Sequence, residues 1–221
     1  MVYRHSILCI LAPKRRLRRG ITMPVHMSKM SGKLKGIPAI NTNTLTNPFC
    51  IRQHQKTGTI CPECYSFTML EGYRKNCTPA FERNSALLSE HIPWDELPVL
   101  NFAYVRYSAH GEIINYQHYL NLVRIALKNP QTTFVLWTKR ASIVRQYQAR
   151  PIHGMPTNLI LVFSNPRIDK VIDVPRGFHK VFNNVSKGST APQNCTGRKC
   201  MDCLACYRKD SGIDVIVEQV K

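Results

Sequence analysis

Cysteine is the residue type in this chain with the clearest chemical potential. Four of the nine cysteines stand near the carboxyl terminus, at Cys195, Cys200, Cys203 and Cys206. A second group lies far upstream, at Cys50, Cys61 and Cys64. Thiolate sulfur is the ligand that zinc and the irons of iron–sulfur clusters both prefer. Since Cys-x-x-Cys spacing lets one tight loop direct two sulfurs at one centre, the pattern predicts a metal site.

The identity of the metal is left open between iron and zinc. Three cysteines in tandem Cys-x-x-Cys spacing, as in residues 200–206, are typical of loops that hold four-iron clusters. Two separated pairs, 61/64 and 203/206, would instead suit a four-cysteine zinc site. We expect one [4Fe-4S] cluster that joins the upstream and downstream loops, with zinc as the alternative. The seven candidate ligands exceed what one cluster needs, so either a second metal is bound or some are spectators.

Composition supports metal ligation over disulfide bonding. The odd number of cysteines and their tight spacing favour thiolates in a reducing compartment. Cys9 and Cys77 are the expected spectators, because a lone cysteine is usually a small buried apolar residue. With 221 residues and 43% hydrophobic composition the chain suits one sizeable domain, and no apolar run reaches the ~18–20 residues that span a bilayer.

Charge is distributed unevenly along the chain. The formal net charge is +18, and no acidic residue precedes Glu63. We predict a basic, disordered arm over residues 1–30, followed by an α/β iron–sulfur domain over residues 31–221. Such an arm could bind nucleic acid or an acidic protein, although a tail without a function of its own is the competing interpretation. Basic residues elsewhere would offset the negative charge of a thiolate-bound cluster. No membrane partner is expected.

Strands and helices alternate through the middle of the chain. The hydrophobic pattern predicts strands over residues 37–40, 99–107, 134–137, 159–163, 180–182 and 214–217. It predicts helices over residues 79–90, 116–128 and 142–147, and a loop region over residues 49–73. This order indicates an α/β fold of parallel strands with right-handed crossovers. We expect a partial or distorted TIM-type barrel with Cys-rich loops, and an open doubly wound sheet is the second choice.

Polar side chains follow the predicted strands at their carboxyl ends, where parallel sheets carry their sites. His110 and Glu112 follow one strand, and Lys139 follows the next. His110 and Glu112 could form an acid–base pair or supply extra ligands, while an ordinary surface-loop histidine is the competing interpretation. Lys139 could receive a phosphate or carboxylate, or be a solvated charge. These three residues are our candidates for cofactor binding.

Several segments, in order, resemble the phage "gene product 88" family. They are residues 36–40, Cys61-Pro-Glu-Cys64-Tyr65, Arg83-Asn84, residues 105–112, Thr138-Lys139, and Cys195 with the downstream triplet. The resemblance covers most of residues 31–207, with Glu112 where the family tends to carry Asp. It implies a phage-encoded protein of the infected host's cytoplasm, with a radical-SAM-like barrel and an iron–sulfur cluster. By the same resemblance, the seven cysteines at 50, 61, 64, 195, 200, 203 and 206 are the candidate ligands.

The function predicted is therefore that of an iron–sulfur protein with a redox or structural role and an undefined reaction. A radical-SAM-type enzyme is the first alternative, weakened because ten residues separate Cys50 from Cys61 where that class has three. A fully ligated cluster would also leave no iron open for the cofactor. A zinc-scaffolded nucleic-acid-binding protein is the further alternative. Whether the chain is an enzyme is left open.

Overall fold

A seven-stranded sheet runs through the molecule in the computed structural model, which describes residues 25–220. The strands are β1 (Met27–Ser28), β2 (Ala39–Ile40), β3 (Tyr104–Tyr107), β4 (Thr133–Thr138), β5 (Leu159–Ile168), β6 (Lys180–Val185) and β7 (Val215–Gln219). Their order in the sheet follows the chain, β1 pairs antiparallel with β2, and every later pair is parallel. The predicted α/β class is confirmed.

The helices lie in the crossovers and in the cysteine-bearing segments. They are α1 (Pro48–His54), α2 (Tyr65–Glu71), α3 (Thr78–Leu88), α4 (Tyr116–Lys128), α5 (Ala141–Ala149) and the single turn α6 (Cys200–Cys203). Short 3₁₀ turns occur at Gly32–Leu34 and Lys75–Cys77. No helix among residues 25–220 combines the length and apolar character needed to cross a bilayer.

Helix α4 has the bounds that its apolar spacing predicts. The Asn115 side chain accepts a hydrogen bond from His118 N and so caps the first turn. Tyr119, Leu122 and Val123 are buried against the sheet. The neighbouring helices α3 and α5 also lie within two residues of their predicted bounds. These helices are predictable because their apolar faces are long enough to show a 3.6-residue period.

Alternate strand residues build two separate cores on the two faces of the sheet. On one face, Phe134 and Leu136 of β4 pack with side chains of α3, α4 and α5. On the other face, Val135 and Trp137 of the same strand pack with Tyr207, beside Cys200 and Cys206. The crossover helices therefore cover one face, while the carboxyl-terminal cysteine segment covers the other.

The edges of the sheet do not pair with each other. Among the strands of residues 25–220, β1 and β7 occupy opposite edges, and no ladder joins them. The consecutive strand order also differs from a doubly wound sheet, whose order reverses at a switch point. One contact nevertheless links the two edges: Lys33, between β1 and β2, forms an ion pair with Glu218 of β7.

The upstream cysteine region differs from its predicted structure. Residues 49–73 were expected to form a loop region, but they contain most of α1 and all of α2. Asn47 caps α1 by accepting from Phe49 N and Cys50 N, and Pro48 occupies the first turn. The prediction missed both helices because each has only seven residues, which is too short for a clear period.

Several predicted boundaries also need correction. Strand β3 covers only residues 104–107 of the strand predicted over residues 99–107. Residues 25–30, assigned to the basic arm, belong to the fold, since Val25 is buried and Met27–Ser28 forms β1. The rest of the predicted arm lies outside the described residues. Strand β5, predicted over residues 159–163, continues through Asn165 and Pro166 to Ile168. A register shift between Ser164 and Ile168 accommodates the proline, as bulges do.

Candidate metal centre

Four thiols border a single pocket between the carboxyl-terminal cysteine segment and the end of the sheet. The lining cysteines are Cys195, Cys200, Cys203 and Cys206. Apolar side chains of Leu204, Ile213 and Ile216 complete much of the wall. Thiols on an apolar, half-buried wall match the donor chemistry of an iron–sulfur or zinc centre.

Short local structures bring these four cysteines together. Cys200 and Cys203 are the two ends of α6, and Leu204 after it adopts a left-handed conformation with φ +50°. That reversal returns the chain so that Cys206 also borders the pocket. Cys195 arrives separately, because its backbone N–H donates to Val217 O of β7 over 3.1 Å.

Two buried donor groups lie beside the downstream thiols. The Nε atom of Arg106 and the hydroxyl of Tyr207 are buried without a hydrogen bond of normal geometry within residues 25–220, but the two side chains lie close enough to interact with each other. Arg106 stacks on Trp137, with its guanidinium carbon 3.5 Å from the ring centroid. Burial raises the pKa of Cys206 to about 12 while the charge of Arg106 opposes that rise. A positive charge next to these thiols suits a site that holds thiolate ligands.

Lys33 borders the same thiol group from the other edge of the sheet. Its Nζ atom lies 3.4 Å from Cys195 Sγ and donates to the Glu218 carboxylate. Burial alone would lower the pKa of Lys33, but the hydrogen bond and charge of Glu218, together with Cys195, raise it above its ordinary value. The ammonium is therefore held in its charged form next to a candidate ligand.

The three upstream thiols form a second group. Cys50 lies in the first turn of α1, while Cys61 and Cys64 flank the turn that leads into α2. Burial raises the pKa of the Cys50 thiol, and the nearby charges of Glu112, Cys64 and Cys61 add to the rise while Lys139 opposes it. Burial likewise raises the pKa of Cys61, again against Lys139.

Capping and ring contacts fix the positions of the upstream thiols. Asn47, which caps α1 at Cys50, also donates from Nδ2 to Glu112 O over 2.8 Å. The His54 ring stacks on Phe67 of α2 at 4.0 Å between centroids, and its Nδ1 lies 2.9 Å from Cys61 O. The two short helices and the loop after β3 are thereby held as one unit.

Glu112 joins the ends of two neighbouring strands. Its carboxylate accepts from Thr138 Oγ1 at 2.6 Å, from Lys139 N at 2.7 Å and from Ile113 N at 2.8 Å. The Lys139 ammonium in turn donates a hydrogen bond to Ser164 Oγ in the neighbouring strand β5. With three donors on a buried carboxylate, Glu112 is a positioning residue for Lys139. The Lys139 ammonium forms no ion pair with a carboxylate among the described residues.

His110 does not lie on the surface, so the competing interpretation of an ordinary surface-loop histidine is wrong. Only 2% of it is exposed, and its Nδ1 lies 2.8 Å from Ser66 Oγ. Burial, with smaller effects of Arg74 and Arg106, lowers its pKa to about 4. A neutral imidazole between Tyr65 and Phe81 is a packed core group. Its role in cofactor binding stays a prediction.

The seven candidate ligands thus divide into a downstream group of four and an upstream group of three. All eight cysteines within residues 25–220 are free thiols, and Cys77 does not line the downstream pocket. No three His, Cys, Asp or Glu side chains of the described residues converge closely enough to hold a single ion. Cys9 lies outside the described residues. One cluster shared by both loops stays a prediction.

Sequence reasoning missed Arg106, Lys33 and Tyr207 as neighbours of the downstream thiols. The position of Arg106 could have been recognised from sequence. It is a charged residue inside a strand, between the apolar residues Val105 and Tyr107, and a charge in such a place needs a negative or polar partner. Lys33 carried no such signal, since only the curvature of the sheet brings it to Cys195. Comparison with known proteins adds no assignment: no family model, curated protein or solved structure matches the chain.

Proposed function

We propose that this α/β protein holds an iron–sulfur cluster on Cys195, Cys200, Cys203 and Cys206. The observation that carries the proposal is the pocket that all four thiols border. A further feature supports it: the positive charge of Arg106 acts on Cys200 and Cys206, where it favours the thiolate form over the thiol. The cluster would supply one-electron chemistry or structural cross-linking, and the basic side chains nearby would offset its negative charge.

Four thiolates leave no iron of a four-iron cluster open to a substrate, so the role proposed for this group is redox or structural. The chain's own residues orient and shield it. The Leu204 reversal and the β7 contact of Cys195 fix the ligands, while Tyr207 and Ile216 close the inner wall. Because these residues pack on the sheet, they would hold the ligand positions before a cluster binds.

We further propose the finer architecture of a partial TIM-type barrel. Three observations support it: the consecutive strand order, the helices on one face, and the Lys33–Glu218 ion pair between opposite edges. We also propose that the chain belongs to the phage "gene product 88" family and resides in the host cytoplasm. Both proposals rest on the sequence resemblance. The free thiols of the described residues agree with a reducing compartment.

Anaerobic purification followed by iron, sulfide and zinc analysis tests the cluster. The expected result is a brown protein with acid-labile sulfide and a broad visible band. Cys203→Ser should lose that content, whereas Cys77→Ser, a cysteine outside both groups, should retain it. A colourless wild-type protein with stoichiometric zinc and no sulfide would overturn the iron assignment.

A second candidate function is a radical-SAM-type enzyme centred on the upstream thiols. The specific observation in its favour is that three thiols, with no fourth from residues 25–220, lie near the charges of Lys139 and Glu112. Three thiolates on a four-iron cluster would leave one iron available to a cofactor. In the Cys195→Ser/Cys200→Ser/Cys203→Ser variant, residual iron and sulfide with a spin signal altered by S-adenosylmethionine would support it. Complete loss of iron in that variant, with Cys50, Cys61 and Cys64 intact, would exclude it.

A further inference from the structure

The Lys33–Glu218 ion pair lies directly against one of the four downstream thiols. Lys33 belongs to the 3₁₀ turn Gly32–Leu34, which follows β1, and Glu218 belongs to β7 at the opposite edge. The Lys33 ammonium contacts the Glu218 carboxylate and lies 3.4 Å from Cys195 Sγ. One charged donor therefore contacts both a carboxylate and a sulfur.

This ion pair is more sheltered than an ordinary surface pair. The Lys33 and Glu218 side chains are 25% and 23% exposed, so about three quarters of each is removed from water. The turn that carries Lys33 also packs on α6, since a Cβ atom at Gly36 would come 3.1 Å from Met201 Cγ. Partial burial weakens solvent screening, and the packed turn limits the motion of the ammonium.

We propose that Lys33 tunes the reduction potential of the cluster by donating a hydrogen bond to Cys195 Sγ, with Glu218 holding the ammonium in place and partly opposing its charge. The inference deepens the proposed function and depends on it. Reduction adds one negative charge to the cluster. A cation and a hydrogen bond at a ligand sulfur stabilise the reduced state more than the oxidised state, which raises the potential.

Arg106 makes Lys33 the more informative residue to test. Arg106 also lies near Cys200 and Cys206, but it packs on Trp137 inside the core, so its removal would disturb the fold as well as the charge. Lys33 contacts the thiol from the periphery and stacks on no aromatic ring. A change at Lys33 therefore separates electrostatic tuning from packing.

The test is a spectroscopically monitored redox titration of the purified, cluster-loaded full-length protein. Lys33→Met should lower the midpoint potential by an amount equal to about a tenfold shift of the reduction equilibrium, ~59 mV for one electron. Glu218→Gln should raise the potential, because it removes a negative charge and leaves Lys33 to the sulfur. Lys33→Arg should restore most of the wild-type value. Lys35→Met, at an exposed position of the same segment, is the control for net charge.

Two failures can be told apart because iron and sulfide are measured first. Wild-type protein without iron and sulfide would overturn both the proposed function and this inference. Loaded Lys33→Met protein whose potential equals that of Lys35→Met would overturn this inference alone. Reduced cluster content in Lys33→Met with an unchanged potential in the loaded fraction would also overturn it, because Lys33 would then only position Cys195.

Discussion

Gly111 lies where the loop after β3 crosses the loop after β2. Its φ of +75° belongs to the left-handed region that glycine tolerates best. A Cβ atom there would come 2.2 Å from Thr42 Oγ1 and 2.6 Å from Thr42 O, and the second of these is backbone that cannot rotate away. Gly111 N also donates to Thr44 Oγ1 at 2.8 Å. The residue thereby sets the path of the chain between His110 and Glu112.

Gly111→Ala is expected to lower the free energy of unfolding by about 2–4 kcal/mol, from backbone strain together with the clash with Thr42. Urea unfolding followed by circular dichroism measures the change. Gly188→Ala is the matched control, because Gly188 has a similar φ of +85° with no atom within 4 Å of its added Cβ. The control should lose only about 1 kcal/mol. An equal loss of unfolding free energy in both variants would contradict the clash, because it would mean that Thr42 moves aside without destabilising the fold.

At the scale of elements, one buried lysine holds the segment between Cys206 and β7. Lys180 is fully buried at the start of β6. Its ammonium donates to Ile213 O at 2.7 Å, and to Ser211 Oγ and Asp214 Oδ1 at 2.9 Å each. Ser211 Oγ donates onward to Ala205 O, next to Cys206. The lysine thus fixes the end of the cysteine segment to the sheet.

Lys180→Met should cost about 2–3 kcal/mol of unfolding free energy, because three hydrogen bonds to a charged donor are lost while the apolar stem is kept. The same variant should bind less iron, since the segment that carries Cys206 loses its anchor. Chemical unfolding and metal analysis provide the two readouts. Lys187→Met, at an exposed site, should change neither. Unchanged stability of Lys180→Met would contradict the anchoring role.

The elements that sequence predicts well are those with a long apolar period. Helix α4 carries such a period, while the central strands β4 and β5 contain uninterrupted apolar runs, residues 134–137 and 159–163, that are equally easy to recognise. The cysteine groups are also predictable, because their spacing is local. The division of those cysteines into four and three is not, since it depends on how the sheet curves. The one-turn helix α6 and the contact of Lys33 with Cys195 are tertiary features with no local pattern.

For the whole molecule, buried histidines connect stability to pH. Burial, helped by Arg140, lowers the pKa of His118 to about 3, and its Nδ1 accepts from Ile114 N. His110 is likewise held neutral, with a pKa of about 4. In the unfolded chain both histidines would have a pKa of about 6.5. Because the unfolded chain then binds protons that the folded chain does not, stability is complete above that pH and falls as the pH decreases.

Between pH 6.5 and 4.5 the wild-type protein should lose roughly 1.4 kcal/mol of stability per pH unit for each of these histidines. Urea unfolding across that range measures the slope. His118→Asn, whose side-chain oxygen can replace Nδ1 as an acceptor, should flatten it. His91→Asn, at an exposed position, should leave the slope unchanged. A wild-type protein as stable at pH 4.5 as at pH 6.5 would contradict this account.

The contact between Asn194 and the last strand has a consequence for the edge of the sheet. The Asn194 side chain accepts from Val217 N and donates to Val215 O, so it occupies hydrogen-bonding groups along β7. Asn194 directly precedes Cys195, whose backbone N–H also bonds to Val217 O, so displacement of this segment from β7 would break all of these contacts. The uncovered run Val215-Ile216-Val217 would then offer an apolar strand edge to a second molecule. Displacement of this segment would therefore be followed by self-association into intermolecular sheets.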